Sequence, residues 1–183
     1  YINLGLIFKD IGNFNDAELY MQKAINIDNS SELAYNNLGS IFIEQGKLTE
    51  AENAIRKALK INPKYIDAYT NLVSVFFESN RFYESEEVLS KAIKIIPNSY
   101  QIYENLGKTM KRLSRYKDAE KYFLKSIQLN PNSSILLHNL GNVYIALREC
   151  QKAIKYLTLS IKNDPLNSDA YCSLGNAYLQ IED

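Results

Sequence analysis

The sequence is short of the residues that build metal centres and disulfide scaffolds. It has no tryptophan, one histidine and two cysteines, Cys150 and Cys172, among 183 residues. Neither cysteine belongs to a CxxC pattern, and no motif places a serine, a cysteine or a second metal ligand beside His138. We therefore expect no metal, no cofactor and no catalytic centre. Unpaired thiols of this kind suit a reducing compartment, so the expected location is cytoplasmic.

Charge and hydropathy exclude two further classes of protein. The 21 basic and 21 acidic residues give zero net charge, whereas a nucleic-acid-binding protein normally carries a basic excess that neutralises phosphates. The longest apolar runs are as short as residues 75–77, far below the roughly 18 residues that cross a bilayer. We expect neither a nucleic-acid partner nor a membrane segment.

Prolines are also scarce, and the four present mark an internal repeat. Pro63, Pro97, Pro131 and Pro165 lie 34 residues apart, a period typical of stacked helical hairpins. In this register the whole chain, 1–183, is a single array. Its repeats are 1–31, which is clipped at its N-terminus, 32–65, 66–99, 100–133, 134–167 and the half repeat 168–183.

Each repeat has the apolar spacing of two helices. In 32–65, apolar residues recur every three or four positions over 35–42 and again over 51–61. Thr49 and Glu52 match the spacing of a capping box at the start of the second helix. The closing proline cannot extend a helix. The sequence therefore predicts an all-α fold of about eleven antiparallel helices.

Small residues recur where the two helices of a hairpin must approach each other. Gly39 and Ala51 have the counterparts Gly107 and Ala119 in a later repeat, and a missing side chain lets helix backbones come close. In 66–99 the counterpart of Gly39 is Val73. Its added bulk should push that helix pair slightly apart.

A 34-residue hairpin with Leu-Gly, an aromatic residue three positions later, further alanines and a closing proline resembles the tetratricopeptide repeat (TPR) family. The aromatic positions are Phe8, Phe42, Phe76, Tyr144 and Tyr178. The resemblance covers the whole chain and implies a right-handed α-solenoid, with first helices lining a concave groove and second helices forming the convex back. It also implies a non-catalytic scaffold that binds an extended peptide segment of another protein in the groove.

One asparagine per repeat lies on the predicted groove surface. The residue before each signature leucine is Asn3, Asn37, Asn71, Asn105 and Asn139. A carboxamide both donates and accepts hydrogen bonds, so a ladder of them can hold the main chain of a peptide. The ladder is similar in placement to the one in the superhelix of O-linked N-acetylglucosamine transferases, where it grips substrate peptide. Alternatively, these asparagines bond only to their own or a neighbouring helix.

Charges on the same surface change sign along the chain. Earlier repeats carry acids such as Asp67 and Glu78, whereas 100–133 supplies basic candidates for peptide binding. These candidates are Lys108, Lys111 and Arg112. They could hold the acidic part of a peptide, although Lys108 also has an i,i+4 partner in Glu104. The paired Lys-Asn and Lys-Arg pattern with which some TPR proteins clamp carboxylates is absent.

Two other functions fit parts of the pattern. The array could be the substrate-recruiting arm of a larger transferase-type enzyme. It could also be an RNA-binding helical-repeat protein, although constant 34-residue spacing and zero net charge oppose this. We also expect apolar surface at the uncapped ends, which favours self-association. The residues concerned are Ile25 and Ile27 at one end and Tyr171, Tyr178 and Ile181 at the other.

Overall fold

The computed structural model describes residues 1–182, which form eleven α-helices and no β-strand. This confirms the all-α hairpin repeat. Asp183, the last residue of the predicted half repeat, lies outside the described residues. In chain order the helices are α1 Ile2–Asp10, α2 Phe14–Ile27, α3 Glu32–Glu44, α4 Leu48–Ile61, α5 Ile66–Glu78, α6 Phe82–Ile95, α7 Tyr100–Arg112, α8 Tyr116–Leu129, α9 Ser134–Ala146, α10 Cys150–Asn163 and α11 Ser168–Glu182.

The chain divides into two compact units, 1–96 and 97–183. Within each unit, consecutive helices pack against each other, and first helices of neighbouring repeats also touch. These neighbours are α1 with α3 and α3 with α5 in the first unit, and α7 with α9 and α9 with α11 in the second. Each unit thus stacks its first helices side by side. None of the helices within residues 1–182 has the length and apolar character needed to cross a membrane.

A glycine on the first helix and a large side chain on the second interlock the two helices of a hairpin. A Cβ at Gly141 would lie 2.6 Å from Leu157 Cγ, and one at Gly107 would lie 2.8 Å from Phe123 Cε1. Carbon atoms pack at about 3.5–4.0 Å, so a larger residue would force the helices apart. The large side chains in these places are Met21, Ile55, Phe123 and Leu157, and all four are fully buried.

The hairpin of α5 and α6 lacks this glycine. Val73 takes its place and is 4% exposed, facing a second helix whose Leu89 is fully buried. The interface between α5 and α6 is smaller than that between α3 and α4. This matches the expectation that the extra volume of Val73 separates the pair.

Each of the five hairpin turns within residues 1–182 contains one residue in the left-handed region, at intervals of 34 residues. These residues are Gly12, Gly46, Asn80, Ser114 and Arg148, with φ between 56° and 78°. A glycine adopts this conformation without steric cost, whereas another residue costs roughly 1–2 kcal/mol. Asparagine also adopts it readily, so Asn80 suits its turn. The turns at Ser114 and Arg148 form because helix packing imposes them, and their sequences do not mark them.

The capping box predicted at Thr49 and Glu52 is wrong. The N-cap of α4 is Lys47, and no side chain caps this helix. The Glu52 carboxylate instead accepts a hydrogen bond from Arg81 Nη1 at 2.5 Å. One repeat earlier, Lys47 Nζ lies 3.2 Å from the Glu18 carboxylate. These acids therefore bind the residue that precedes the next second helix and join consecutive hairpins.

Apolar side chains are exposed near both ends of the described chain. Those expected there are Ile27, Tyr171, Tyr178 and Ile181, which are 45–74% exposed. Ile25 is 6% exposed, so the expectation that it lies open is wrong. The reason is that Ile25 packs in the core cluster with Met21 and Leu38. Self-association through these surfaces stays a prediction.

Replacing Gly141 by alanine should destabilise the protein, because the new Cβ would overlap the buried Leu157 side chain. We expect the free energy of unfolding to fall by about 1–3 kcal/mol. Gly175 occupies the same place in the next repeat, and a Cβ there would meet nothing within 4 Å. Gly175→Ala is therefore the matched control and should stabilise the helix by about 0.5–1 kcal/mol. Urea unfolding followed by circular dichroism measures both, and equal changes would contradict the interlock.

Candidate functional site

Each unit has a candidate site, the first-helix surface, defined as the side of its first helices turned away from the second helices. These first helices are α1, α3 and α5 in the first unit and α7, α9 and α11 in the second. The signature leucines Leu38, Leu72, Leu106 and Leu140 are 0–6% exposed. A helix turns by about 100° per residue, so the residue before each leucine lies at the edge of this surface. The first unit places Asn3, Asn37 and Asn71 there, and the second places Asn105 and Asn139.

The five asparagines are not equally open. Asn3 is exposed, whereas Asn37, Asn71 and Asn139 are half-buried. Asn105 is 5% exposed, so its carboxamide is not open to solvent. The buried face of α7 lies on the side of Asn105 and Thr109, whereas α3 buries Asn36 at the position before its ladder asparagine.

Asn71 bonds to the preceding first helix in the first unit. Its Nδ2 donates to Asn36 Oδ1 at 2.9 Å, and Asn36 Nδ2 lies 3.5 Å from the hydroxyl of Tyr65. Asn36 is 4% exposed, so this bond satisfies a buried acceptor. Asn36 and Asn71 are 35 residues apart, and the residue 35 positions before Asn37 is Ile2. Ile2 has no polar side chain, and Asn37 Nδ2 is buried without a hydrogen-bond partner.

In the second unit, a histidine and a serine make the corresponding contact between neighbouring first helices. Ser173 Oγ lies 3.0 Å from His138 Nε2, again 35 residues apart, and Asn142 Nδ2 lies 3.0 Å from the same nitrogen. An amide nitrogen only donates, so this placement of Asn142 makes His138 Nε2 an acceptor. Burial lowers the pKa of His138 and the charge of Lys111 lowers it further, whereas Asp169 on α11 opposes the shift.

The basic candidates lie together at the end of α7. Lys108 Nζ pairs with Glu104 at 2.6 Å, as its i,i+4 spacing predicts. Lys111 is half-buried, and burial lowers its pKa, with smaller contributions from the charges of Arg112 and Lys108. Arg112 is exposed. The surface of the second unit therefore combines a partly desolvated cation with the half-buried carboxamide of Asn139.

Asn36, His138 and Ser173 are the polar residues that sequence reasoning left out of the site. The spacing of 35 residues between Asn36 and Asn71, and between His138 and Ser173, is the signal that could have found them. No group of three or more His, Cys, Asp or Glu side chains suited to holding a metal ion occurs in the part of the chain that the structure describes.

Comparisons with known proteins agree with this architecture. Models of the tetratricopeptide repeat match residues 1–31, 33–65, 66–99, 100–133 and 122–155. No curated protein sequence gives a significant match.

Solved structures share the fold. One is YrrB, "a TPR protein with an unusual peptide-binding site", with a TM-score of 0.68 and 20% identity, over 94% of this chain and 89% of YrrB. TTC0263, a thermophilic TPR protein of Thermus thermophilus, gives 0.77 and 16% identity over 97% of each chain. The Pseudomonas aeruginosa protein pilF gives 0.79 and 25% identity over 100% of this chain and 89% of its own.

The environment of His138 predicts its titration. As the only histidine, it gives a single imidazole signal in NMR, and we expect a pKa below the ordinary value of about 6.5. Lys111→Gln should raise this pKa and Asp169→Asn should lower it. Because the unfolded chain binds the proton more tightly, the free energy of unfolding should decrease as pH falls below about 6.5. A pKa at or above the ordinary value would contradict the assignment.

Proposed function

The chain belongs to the tetratricopeptide repeat family, whose fold supports a protein–protein interaction scaffold, and we propose that its first-helix surface binds an extended segment of a partner protein. The observation that carries the proposal is the asparagine that precedes the signature leucine on every first helix from α1 to α9. YrrB, which shares the fold, is described as having a peptide-binding site. The proposed role is non-catalytic.

The orientation of the carboxamides supports recognition of peptide main chain in the first unit. Asn71 uses Nδ2 for Asn36, and Asn37 turns its Nδ2 into the protein. Among the described residues, no partner occupies Oδ1 of either side chain, and neither oxygen is buried. These two oxygens can therefore accept hydrogen bonds from peptide N–H groups. Asn3, which is exposed, extends the same row.

In the second unit, the half-buried Asn139 is the carboxamide that we expect to contact peptide. Asn105 is too enclosed to do so in the free protein and is assigned a positioning role. Lys111, whose charge acts on His138, adds positive charge to the same unit together with Lys108 and Arg112. A half-buried ammonium lies in a medium of lower dielectric than water, so a carboxylate bound there would gain more electrostatic energy than at an exposed lysine.

The two units differ in charge, which favours a bipolar peptide. Residues 1–96 contain 10 basic and 13 acidic side chains, whereas residues 97–183 contain 11 basic and 8 acidic ones. Asp67 and Glu78, on α5, are both exposed. We therefore propose that the acidic part of the partner segment contacts the second unit and its basic part contacts the first.

Truncation of the open carboxamides should weaken binding without destabilising the fold. A peptide array identifies a ligand, and titration calorimetry then compares Asn37→Ala and Asn139→Ala with the natural protein. Each loses about 0.5–1.5 kcal/mol of hydrogen bonding, which corresponds to roughly 2- to 13-fold in affinity. Asn53→Ala is the control, since Asn53 is an exposed asparagine on a second helix. Unchanged affinity in both ladder variants would overturn the proposal.

Asn71→Ala should behave differently from these two variants. It removes the donor to Asn36 Oδ1, an acceptor on a side chain that is 4% exposed. We expect the free energy of unfolding to fall by about 1–3 kcal/mol, the cost of an unsatisfied buried group. Thermal and urea unfolding measure this loss. An Asn71→Ala protein of undiminished stability would show that Asn71 does not support Asn36.

A further inference from the structure

A cavity of about 350 Å³ opens in the first unit, between α4 and α6. Its floor is formed by Tyr69 and Leu72 of α5, which are 6% and 0% exposed. Leu59 and Val88 form its walls together with Ile95. Three further lining residues are exposed cations, Arg56, Lys60 and Lys91, and no acidic side chain lines the cavity. The cavity thus combines an apolar interior with a basic rim.

The cavity follows from two departures from the repeat pattern. Val73 occupies the place where other hairpins have glycine, so α6 packs less closely on α5. The wall residue Val88 is also small: three other repeats have tyrosine at this position, whereas the preceding repeat has Ala54. The ring of one of these tyrosines, Tyr156, stacks on Tyr144 at 5.5 Å. The floor is rigid, because the Tyr69 hydroxyl donates to the Pro63 carbonyl oxygen at 3.0 Å.

The positive charge is specific to this cavity. Residues 56–64 and 90–98, the C-terminal parts of α4 and α6 with their following turns, contain four and two basic residues and no acidic ones. The corresponding segments 22–30 and 158–166 each contain one residue of each sign, and 124–132 contains a single lysine. Cations are favourable near any helix C-terminus, but that preference would act equally on every second helix. The helix dipole therefore does not explain why basic residues are more numerous at the ends of α4 and α6.

We propose that this cavity is a second binding site, which takes a segment of a partner protein that inserts one large apolar side chain and places carboxylates beside it. The floor and walls bury the apolar group, and the carboxylates meet Arg56, Lys60 and Lys91. Arg56 and Lys91 now pair with Glu52 and Glu87, at 2.8 and 2.6 Å. The Lys91 pair is exposed on both sides and contributes little, so a ligand carboxylate can replace Glu87. Glu52 is 15% exposed and also binds Arg81, so a ligand carboxylate would bind Arg56 beside Glu52.

This site is separate from the first-helix surface. None of the ladder asparagines lines the cavity, and its cations belong to second helices. Binding here therefore does not depend on the peptide-binding proposal. The double variant Asn37→Ala/Asn139→Ala should leave it unchanged, which separates the failure of one proposal from the failure of the other.

The test uses a fluorescein-labelled peptide, Glu-Asp-Leu-Phe-Glu-Asp, and a second probe in which every acid is replaced by lysine. Fluorescence anisotropy should show saturable binding of the acidic probe, at least tenfold tighter than the lysine probe. The affinity should fall with added salt, because the rim is exposed. Absence of binding, or equal binding of the two probes, would overturn the proposal. So would binding of phosphatidylserine vesicles without binding of the acidic probe, which would indicate a membrane surface instead.

Two variants take their residues from the other repeats. Val88→Tyr installs the side chain found at position 156 and should fill the cavity, so that the acidic probe binds at least tenfold more weakly. Arg56→Gln/Lys60→Asn installs the residues found at positions 22 and 26, keeps the cavity open and should also weaken binding about tenfold. Lys23→Gln, an exposed lysine outside the cavity, is the control. Full binding by both the filled and the neutralised variant would overturn the assignment.

Discussion

The structure depends on one steric constraint, which is that the first helix of a hairpin, α5 excepted, has a glycine where the second presents a large buried side chain. Gly141 against Leu157 and Gly107 against Phe123 show how little space is left. In a repeat array each hairpin contacts only its neighbours, so no other part of the fold can compensate for a poor fit at this point. The interlock therefore sets the spacing of the first helices and, with it, the geometry of the surface that they share within each unit.

Val73 shows the effect of relaxing this constraint. The hairpin remains helical, and Val73 and Leu89 stay buried, so the core tolerates the change. The consequence appears on the second-helix side, where the looser α6 and the small Val88 leave a cavity whose charge has no counterpart in the other repeats. A departure from the repeat consensus thus creates a surface with its own shape and its own chemistry.

Much of the fold could be predicted from the sequence because its signals are local. Apolar periodicity lies within one repeat, and the proline spacing links equivalent positions of consecutive repeats. The separation of α5 and α6 by Val73 could be predicted from one neighbouring helix. The partner of Glu52 could not be predicted in this way, since Arg81 belongs to the next hairpin and meets Glu52 only when both are packed. The burial of Asn105 and the left-handed turn at Arg148 also depend on packing, which overrides the ordinary preference of the residue.

Structural and ligand-binding roles are not exclusive for an asparagine on the first-helix surface. A carboxamide has a donor at one atom and an acceptor at the other. Asn71 uses its donor for Asn36, and the Nδ2 of Asn37 is buried without a hydrogen-bond partner. In both, the proposed contact with peptide uses the oxygen. A bond to the neighbouring helix fixes the direction of that oxygen before any peptide arrives, which lowers the entropic cost of binding. Cross-linking of helices can therefore prepare the same residue for recognition of peptide N–H groups.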